Sequence, residues 1–264
     1  MVPALGSELF KLSHRMMTRV LLLLLFGVLL GAYLLLGIVG EPEESDVLED
    51  LRIGTVHDNG PLIVYQVGVI LSVTLAASSI ASEFGWGTIR TLLPRSAGRV
   101  PFLTAKLITV GMFVVLAVIL GFLAVLVGSV LVTAFNDLDT SLGDNFVGRL
   151  LGAMARTAYV IVPYATLAFV IALWSHSSAA GIAVPIVVFY AEVLLTPAFT
   201  SIEALEWLPD ALIYSANVSS ILDSDAVVPE EDLPGRWQAA GVLAAYVTAF
   251  VSLSYGHFLT RDIT

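Results

Sequence analysis

Side chains that could form a catalytic centre are few and widely separated in this sequence. The 264 residues include no cysteine, which excludes disulfides, thiolate metal sites and cysteine nucleophiles. The four histidines lie far apart, and no His-Glu-x-x-His or Gly-x-Ser-x-Gly string occurs. A Gly-x-x-x-x-Gly-Lys-Ser/Thr phosphate loop is also missing. We therefore expect no enzymatic activity in this chain, no metal site, and no site for a cofactor or for ATP.

Two charged residues lie inside otherwise apolar stretches and could act together within a membrane. Arg156 and Glu192 are each about six residues from one end of their apolar stretch, which places both about 9 Å deep in a helix. Charges at that depth are costly unless they are paired. We predict an ion pair between two antiparallel helices that neutralises both groups. The pair is either a structural contact or part of a substrate path.

The most distinctive polar string is residues 82–99, Ser-Glu-Phe-Gly-Trp-Gly-Thr-Ile-Arg-Thr-Leu-Leu-Pro-Arg-Ser-Ala-Gly-Arg. Thr88 can cap a short helix there, and Pro94 limits its length because the residue before a proline avoids helical geometry. The apolar side of this helix consists of Ile89, Leu92 and Leu93. Arg90 lies on another side. An apolar knob with a cationic rim suits docking in a groove of a partner protein.

The order of residues in this segment resembles the first cytoplasmic loop of type-2 ABC transporter permeases. A glutamate is followed by Gly-Thr-Ile-Arg, then by Leu-Leu, spaced arginines and Ala-Lys at 105–106, and the chain ends near an Arg-Asp-Ile string. The resemblance implies a coupling helix that contacts a separate ATP-binding subunit. It assigns this contact to Glu83, Gly87, Thr88, Ile89, Arg90, Leu92, Leu93, Arg95 and Arg99. A basic loop that only sets orientation is the alternative.

The amino-terminal residues 7–19 have the pattern of an amphipathic helix. Their apolar side consists of Leu9, Leu12 and Met16, with Phe10 and Met17 beside them. The opposite side carries Glu8, Lys11 and Arg15. Such a helix lies in the headgroup region of a membrane. The resemblance implies an elbow helix that also contacts the ATP-binding subunit, and a helix that only anchors is the alternative.

The composition indicates a membrane protein, since 58% of the residues are hydrophobic and 13% are charged. A helix that crosses a bilayer needs about 20 apolar residues. Six stretches meet this requirement, at residues 20–40, 61–82, 102–134, 150–174, 179–198 and 237–259. The polar residues 175–178 separate the fourth stretch from the fifth. We predict an all-α polytopic fold with six transmembrane helices.

Basic residues favour one side of this membrane protein. They cluster before the first span and within residues 90–106, whereas most acidic residues lie in segments 41–58, 137–144 and 203–232. Because basic residues favour the cytoplasmic side, we expect both chain termini and residues 83–106 to lie there. We expect the cell membrane as the location. The basic residues form no continuous face, so nucleic acid is excluded as a partner.

Taken together, the resemblance implies a single permease domain over residues 1–264 that works as half of a homodimeric export unit. ATP and Mg would be bound by the separate ATP-binding subunit, which would drive the permease through residues 83–99. The substrate does not follow from these residues. A non-transporting membrane anchor or assembly factor remains an alternative. A secondary transporter is a further one, although it requires ionisable or unwound sites near the bilayer midplane.

Overall fold

A computed structural model describes residues 2–39, 45–85, 98–202, 207–213, 215–222 and 233–260. All regular structure within these ranges is helical. The α-helices in chain order are α1 (Val2–His14), α2 (Met16–Val39), α3 (Ser45–Asp50), α4 (Val56–Gly85), α5 (Arg99–Phe135), α6 (Phe146–Ser175), α7 (Ser178–Thr200), α8 (Leu208–Ala211), α9 (Ser215–Leu222) and α10 (Arg236–Thr260). A 3₁₀ turn at Ile53–Thr55 precedes α4.

Six of these helices are long and apolar enough to cross a membrane, as the sequence predicts. They cover Met16–Ile38, Ile53–Gly85, Arg99–Phe135, Phe146–Ser175, Ser178–Thr196 and Arg236–Thr260. An even number of spans returns the chain to the side on which it began. The bundle therefore has one end that contains α1 and the termini of α4, α5, α6 and α10 near residues 85, 99, 175 and 260. We call this the first end, and the opposite one the second end.

The core lies between α4 and α6, which pack against each other most extensively, and between α2 and α5. In α5 the buried positions Lys106, Val110, Phe113, Ala117 and Gly121 follow one another at intervals of three or four residues. That spacing places them on one side of the helix. Their interval is the reason that a helix apolar on nearly every side still has one preferred face toward its neighbours.

Two glycines allow α5 to approach its neighbours closely. A Cβ atom at Gly121 would lie 2.7 Å from Val64 Cγ1 of α4, and one at Gly128 would lie 2.7 Å from Tyr33 Cβ of α2. Small residues at such positions permit the close packing that associates helices in lipid. On the same helix, a Cβ atom at Gly111 would have no neighbour within 4 Å. The two kinds of glycine therefore differ in their surroundings, although they share one helix.

The predicted break between the fourth and fifth spans is a tight helix-to-helix turn. Helix α6 ends at Ser175, and His176 adopts a left-handed backbone conformation with φ of 54°. Ser177 then caps α7, because its hydroxyl accepts a hydrogen bond from the Ala180 amide at 3.3 Å. A serine at this position satisfies an amide that has no partner within the helix. The polar residues therefore end one span and begin the next.

The second end is held together by neutral hydrogen bonds from polar side chains. Ser129 of α5 donates to the Leu51 carbonyl at 2.5 Å, and Asn136 donates to the Gly37 carbonyl at 3.3 Å. The short helices α8 and α9 lie at this end as well, and Tyr246 of α10 donates to the Ala211 carbonyl at 2.8 Å. These bonds satisfy carbonyl groups at helix ends, which would otherwise be costly to bury.

We expect Gly128→Ala to destabilise the bundle by about 1–3 kcal/mol, because its methyl group overlaps a tyrosine Cβ atom that cannot rotate away. The matched change Gly111→Ala should be neutral or should stabilise the bundle by up to about 1 kcal/mol, since alanine is the better helix former and the site is open. Thermal unfolding in detergent micelles measures both. Equal unfolding temperatures for the two variants would contradict this packing.

Candidate functional site

Five charged side chains from α1, the residue after it, α4 and α5 meet at the first end of the bundle. We call them the buried ion cluster, and they are Glu8, Lys11, Arg15, Glu83 and Lys106. Glu83 lies in the last turn of α4, whereas Lys106 lies two turns into α5. The cluster therefore lies at the base of residues 86–97, the segment that joins these two helices.

Lys106 is the centre of the cluster. Its ammonium group donates to Glu8 Oε2 at 2.9 Å, to Glu83 Oε1 at 3.1 Å and to the Ser79 carbonyl at 3.0 Å. These three acceptors match the three hydrogens of the ammonium group. The side chain is fully buried, and its Nζ atom lies 5.3 Å from the centre of the Phe102 ring. Lys106 is thus held by one acceptor from α1 and two from α4.

Lys11 completes a closed ring of contacts. It donates to Glu8 Oε1 at 2.7 Å and to Glu83 Oε1 at 3.1 Å, so both carboxylates contact both lysines. Two positive and two negative charges cancel within this ring. Arg15 adds a further positive group, with Nη2 3.9 Å from Glu83 Oε1. Both carboxylates are nearly inaccessible, while the side chains of Lys11 and Arg15 are about a third exposed, at 31% and 28%. The basic groups thus line the accessible rim.

The pKa values of the two α1 groups respond to this ring in opposite directions. Burial alone would raise the pKa of Glu8, but the ammonium groups of Lys106 and Lys11 lower it below its ordinary value of 4.5. Burial would lower the pKa of Lys11, but the carboxylates of Glu8 and Glu83 raise it above 10.5. Both shifts favour the charged forms. The contact between α1 and the bundle is therefore ionic across the neutral range.

Helix α1 turns its charged side toward the bundle. Glu8 is 7% exposed, whereas Phe10 is 63% exposed and Met16 is 80% exposed. Leu9 and Leu12 are partly buried. Leu12, from the predicted apolar side, packs against the core. Lys106 and Glu83 compensate the charges of Glu8 and Lys11, whereas Phe10 of α1 and Met16 at the start of α2 are exposed.

Aromatic contacts join the remaining helices at the first end. Phe84 of α4 stacks on His176 in the turn between α6 and α7, with ring centres 4.1 Å apart. Phe102 of α5 stacks on Phe258 of α10 at 6.0 Å. Since Phe84 and Phe102 are close in sequence to Glu83 and Lys106, the ion cluster is continuous with these ring contacts. Near this end, α4 therefore contacts the turn between α6 and α7, and α5 contacts α10.

The structure places only some of the predicted coupling residues. Glu83 belongs to the ion cluster. Arg99 is the first residue of α5 and donates from Nη1 to the Leu259 carbonyl of α10 at 3.2 Å. The seven residues Gly87, Thr88, Ile89, Arg90, Leu92, Leu93 and Arg95 lie outside the described ranges. The two flanking residues, Glu83 and Arg99, are therefore both fixed to other helices at the ends of the segment.

The contacts of Glu192 involve a residue other than its predicted partner. Glu192 is buried, and Tyr164 of α6 donates to its Oε2 atom at 3.0 Å. Tyr164 and Arg156 are on the same helix, eight residues apart, which is about 12 Å along the axis. The carboxylate of Glu192 therefore lies within hydrogen-bond distance of Tyr164. The ion pair between Arg156 and Glu192 stays a prediction.

No sequence pattern predicts that Lys106, Glu8, Lys11 and Arg15 meet. In the sequence, Lys106 is part of the predicted cytoplasmic basic cluster and of the resemblance, and the charges of residues 7–19 lie opposite the apolar side of the amphipathic helix. The spacing of residues in α5 does indicate that Lys106 is buried. Lys106 occupies the same helical face as Val110, Phe113 and Ala117, so its side chain has to enter the core. A lysine on a core face requires a buried acid, and Glu83 is the nearest one along the chain.

Two comparisons with known proteins bear on this chain. Residues 51–264 match the family model described as "Protein of unknown function (DUF2705)". The chain is also similar to the "Uncharacterized protein YhcI" of Bacillus subtilis (strain 168), with 23% identity over 205 residues. The similar region covers 74% of this chain and 64% of that relative, so the chain spans less than two thirds of the relative's length.

We expect Lys106→Met to lower the free energy of unfolding by about 3–5 kcal/mol. The change replaces the buried ammonium group with an apolar side chain, so the buried carboxylates of Glu8 and Glu83 lose their contact with Lys106. The control Arg52→Met removes an exposed ion pair, Arg52 Nη1 to Asp139 Oδ2 at 3.5 Å, at the second end. It should cost at most about 1 kcal/mol. Chemical unfolding in micelles measures both variants, and similar losses in the two would contradict the structural weight of Lys106.

Docking of α1 should depend on pH at the extremes only. The lowered pKa of Glu8 gives stability above pH 4.5 that is lost as the pH falls through that lowered pKa. The raised pKa of Lys11 gives stability below pH 10.5 that is lost as the pH rises through that raised pKa. Spin labels on Phe10→Cys and Val100→Cys, in a chain otherwise free of cysteine, should show one narrow distance between these limits. Broadening of this distance at neutral pH would contradict this assignment.

Proposed function

Given that this chain belongs to the DUF2705 family of proteins of unknown function, we propose that it is the permease subunit of an ABC export system. A separate ATP-binding subunit drives it through residues 83–99. The proposal is supported by the ordered string in that segment, which resembles the coupling loop of type-2 permeases, and by the ion cluster at its base. Helix α1 serves as the elbow helix and a short helix within 86–97 as the coupling helix.

The observation that carries the proposal is the rigid mounting of both ends of the segment. Glu83 and Lys106 are joined to each other at 3.1 Å and to α1 through Glu8 and Lys11. A displacement of the loop therefore moves α1, α4 and α5 together rather than unfolding the last turn of one helix. Flexible loops absorb force, whereas a buried and fully paired cluster transmits it.

The lengths of α4 and α5 extend this mounting across the membrane. Helix α4 has 30 residues and α5 has 37, which correspond to about 45 Å and about 55 Å. Both exceed the thickness of the hydrocarbon core, about 30 Å. Each helix is thus long enough to carry a displacement from the first end of the bundle to the second end. This is the geometry that an energy source outside the membrane requires.

The proposed assembly contains two permease chains and two ATP-binding subunits in the cell membrane. Both termini and residues 83–99 face the cytoplasm, where basic residues are favoured. The partner subunit binds ATP and Mg, hydrolyses the ATP and closes. Closure shifts the coupling segment and changes the access to a cavity between the two permease chains. The chain itself is not an enzyme in this mechanism, and the substrate stays open.

A tagged chain tests the partner and the site together. We expect it to capture the ATPase encoded beside its gene from solubilised membranes, and Arg90→Glu to reduce that capture about tenfold, because it reverses charge on the rim of the coupling helix. The control Arg52→Glu reverses a charge at the second end and should capture as much as the unmodified chain. Equal capture by both variants would favour the membrane anchor. Labelling of Ser96→Cys by an impermeant reagent from outside intact cells would also contradict the proposal.

A further inference from the structure

A long apolar groove lies between α5, α6 and α10. It has a volume of about 330 Å³, and its walls include Gly111, Val114, Val162 and Val251. One wall belongs to α10, the least buried of the six spanning helices. Of its most apolar 18 residues, 17% are buried. Because α10 stands off from α5 along this line, the groove opens toward the surface that faces lipid. It is a space between helices of the bundle rather than a depression on one of them.

The groove has the length of one leaflet. Its α5 wall runs from Thr104 to Val114, which is about 15 Å along the helix axis. Half of a hydrocarbon core of about 30 Å is also about 15 Å. The end at Thr104 lies toward the first end of the bundle, and the end at Val114 lies toward the bilayer midplane. A single acyl chain of the leaflet at the first end fits both the length and the apolar character.

The polar groups near the groove are arranged for a lipid that enters from the first end. Thr104 and Tyr255 lie at that end of the groove and bond to each other, with their hydroxyl oxygens 2.6 Å apart. Because each hydroxyl has the other as a partner, they line this end of the groove without requiring a polar ligand. Arg99 lies five residues before Thr104, about 7.5 Å further toward the headgroups. Its guanidinium contacts the α10 carbonyl of Leu259 through Nη1 at 3.2 Å, which holds its positive charge between α5 and α10.

We propose that this groove binds one phospholipid from the leaflet at the first end, with an acyl chain between α5, α6 and α10 and the phosphate at Arg99. Positive charge at headgroup depth complements the phosphate, and basic sites between transmembrane helices are suited to lipid headgroups. The bound acyl chain fills the space that the side chains leave open between these helices, and it joins α10 to the rest of the bundle. Lipid binding here depends on the groove and on Arg99 at its first end, and it does not depend on whether the protein is a permease.

Gly111 offers a test that fills the groove without disturbing a contact. A Cβ atom at Gly111 would meet nothing within 4 Å, so Gly111→Leu should fold and occupy the groove. The matched control is Gly27→Leu, which also has open space and lies in a shallow depression formed by α2 alone. Native mass spectrometry of the purified chain, with phosphatidylglycerol added back, should show one retained lipid for the unmodified chain and for Gly27→Leu. Gly111→Leu should retain it at least about tenfold less.

Arg99→Gln tests the headgroup contact separately. Retention of phosphatidylglycerol should fall about threefold, which is the size expected for one partly exposed charge pair. The unmodified chain supplies an independent measurement, since a phospholipid with a diazirine at mid-chain should crosslink to peptides that contain residues 104–114 and 247–255. Equal lipid loss in Gly111→Leu and Gly27→Leu, or crosslinks spread evenly over α2 and α7, would overturn the proposal and indicate surrounding bilayer lipid only.

Discussion

The ammonium group of Lys106 in a dry interior is the interaction on which the first end of this protein depends. A lysine taken out of water requires compensating charge, and the chain supplies it from Glu8 on α1 and Glu83 on α4. Neither acid could be buried alone for the same reason. The position of α1 against the bundle and the level of α4 relative to α5 therefore follow from one requirement. The charges of buried Lys106, Glu8 and Glu83 and of partly exposed Lys11 have to cancel.

The two ends of the bundle use different chemistry. The first end is held by ions, whereas the described contacts at the second end include many neutral bonds, such as Ile53 to Thr133 Oγ1 at 3.1 Å. Charged groups occur there too, since Arg149 Nη1 lies 3.3 Å from His57 Nε2 and Arg52 Nη1 lies 3.5 Å from Asp139 Oδ2. Bonds between charged groups are about twice as strong as neutral ones. The ends thus differ in how deeply their charges lie, since Lys106 at the first end is fully buried whereas Arg52 and Asp139 at the second end are 33% and 60% exposed.

How far the sequence predicts this structure depends on the range of each interaction. The six spans follow from local composition, since each apolar stretch is long enough by itself, and the break at Ser175–Ser178 follows from local turn chemistry. The ion cluster joins residues 8, 83 and 106, and no local pattern connects them. The hydrogen bond from Tyr164 to Glu192 has the same long range, since it joins α6 to α7, and the sequence contains no local pattern that predicts it.

Burial divides the six spanning helices into an inner and an outer group. Within the most apolar 18 residues of each helix, 61% of the residues of α4, 67% of those of α6 and 50% of those of α5 are buried, whereas 17% of those of α10 are buried. The contacts of α10 include hydroxyl groups such as Tyr159, which donates to the Ala240 carbonyl at 2.6 Å. Apolar contact with lipid and with protein is nearly equivalent for such a helix, so packing alone holds it weakly. Any rearrangement that spares the ion cluster is therefore least costly at α10, along the groove that separates it from α5.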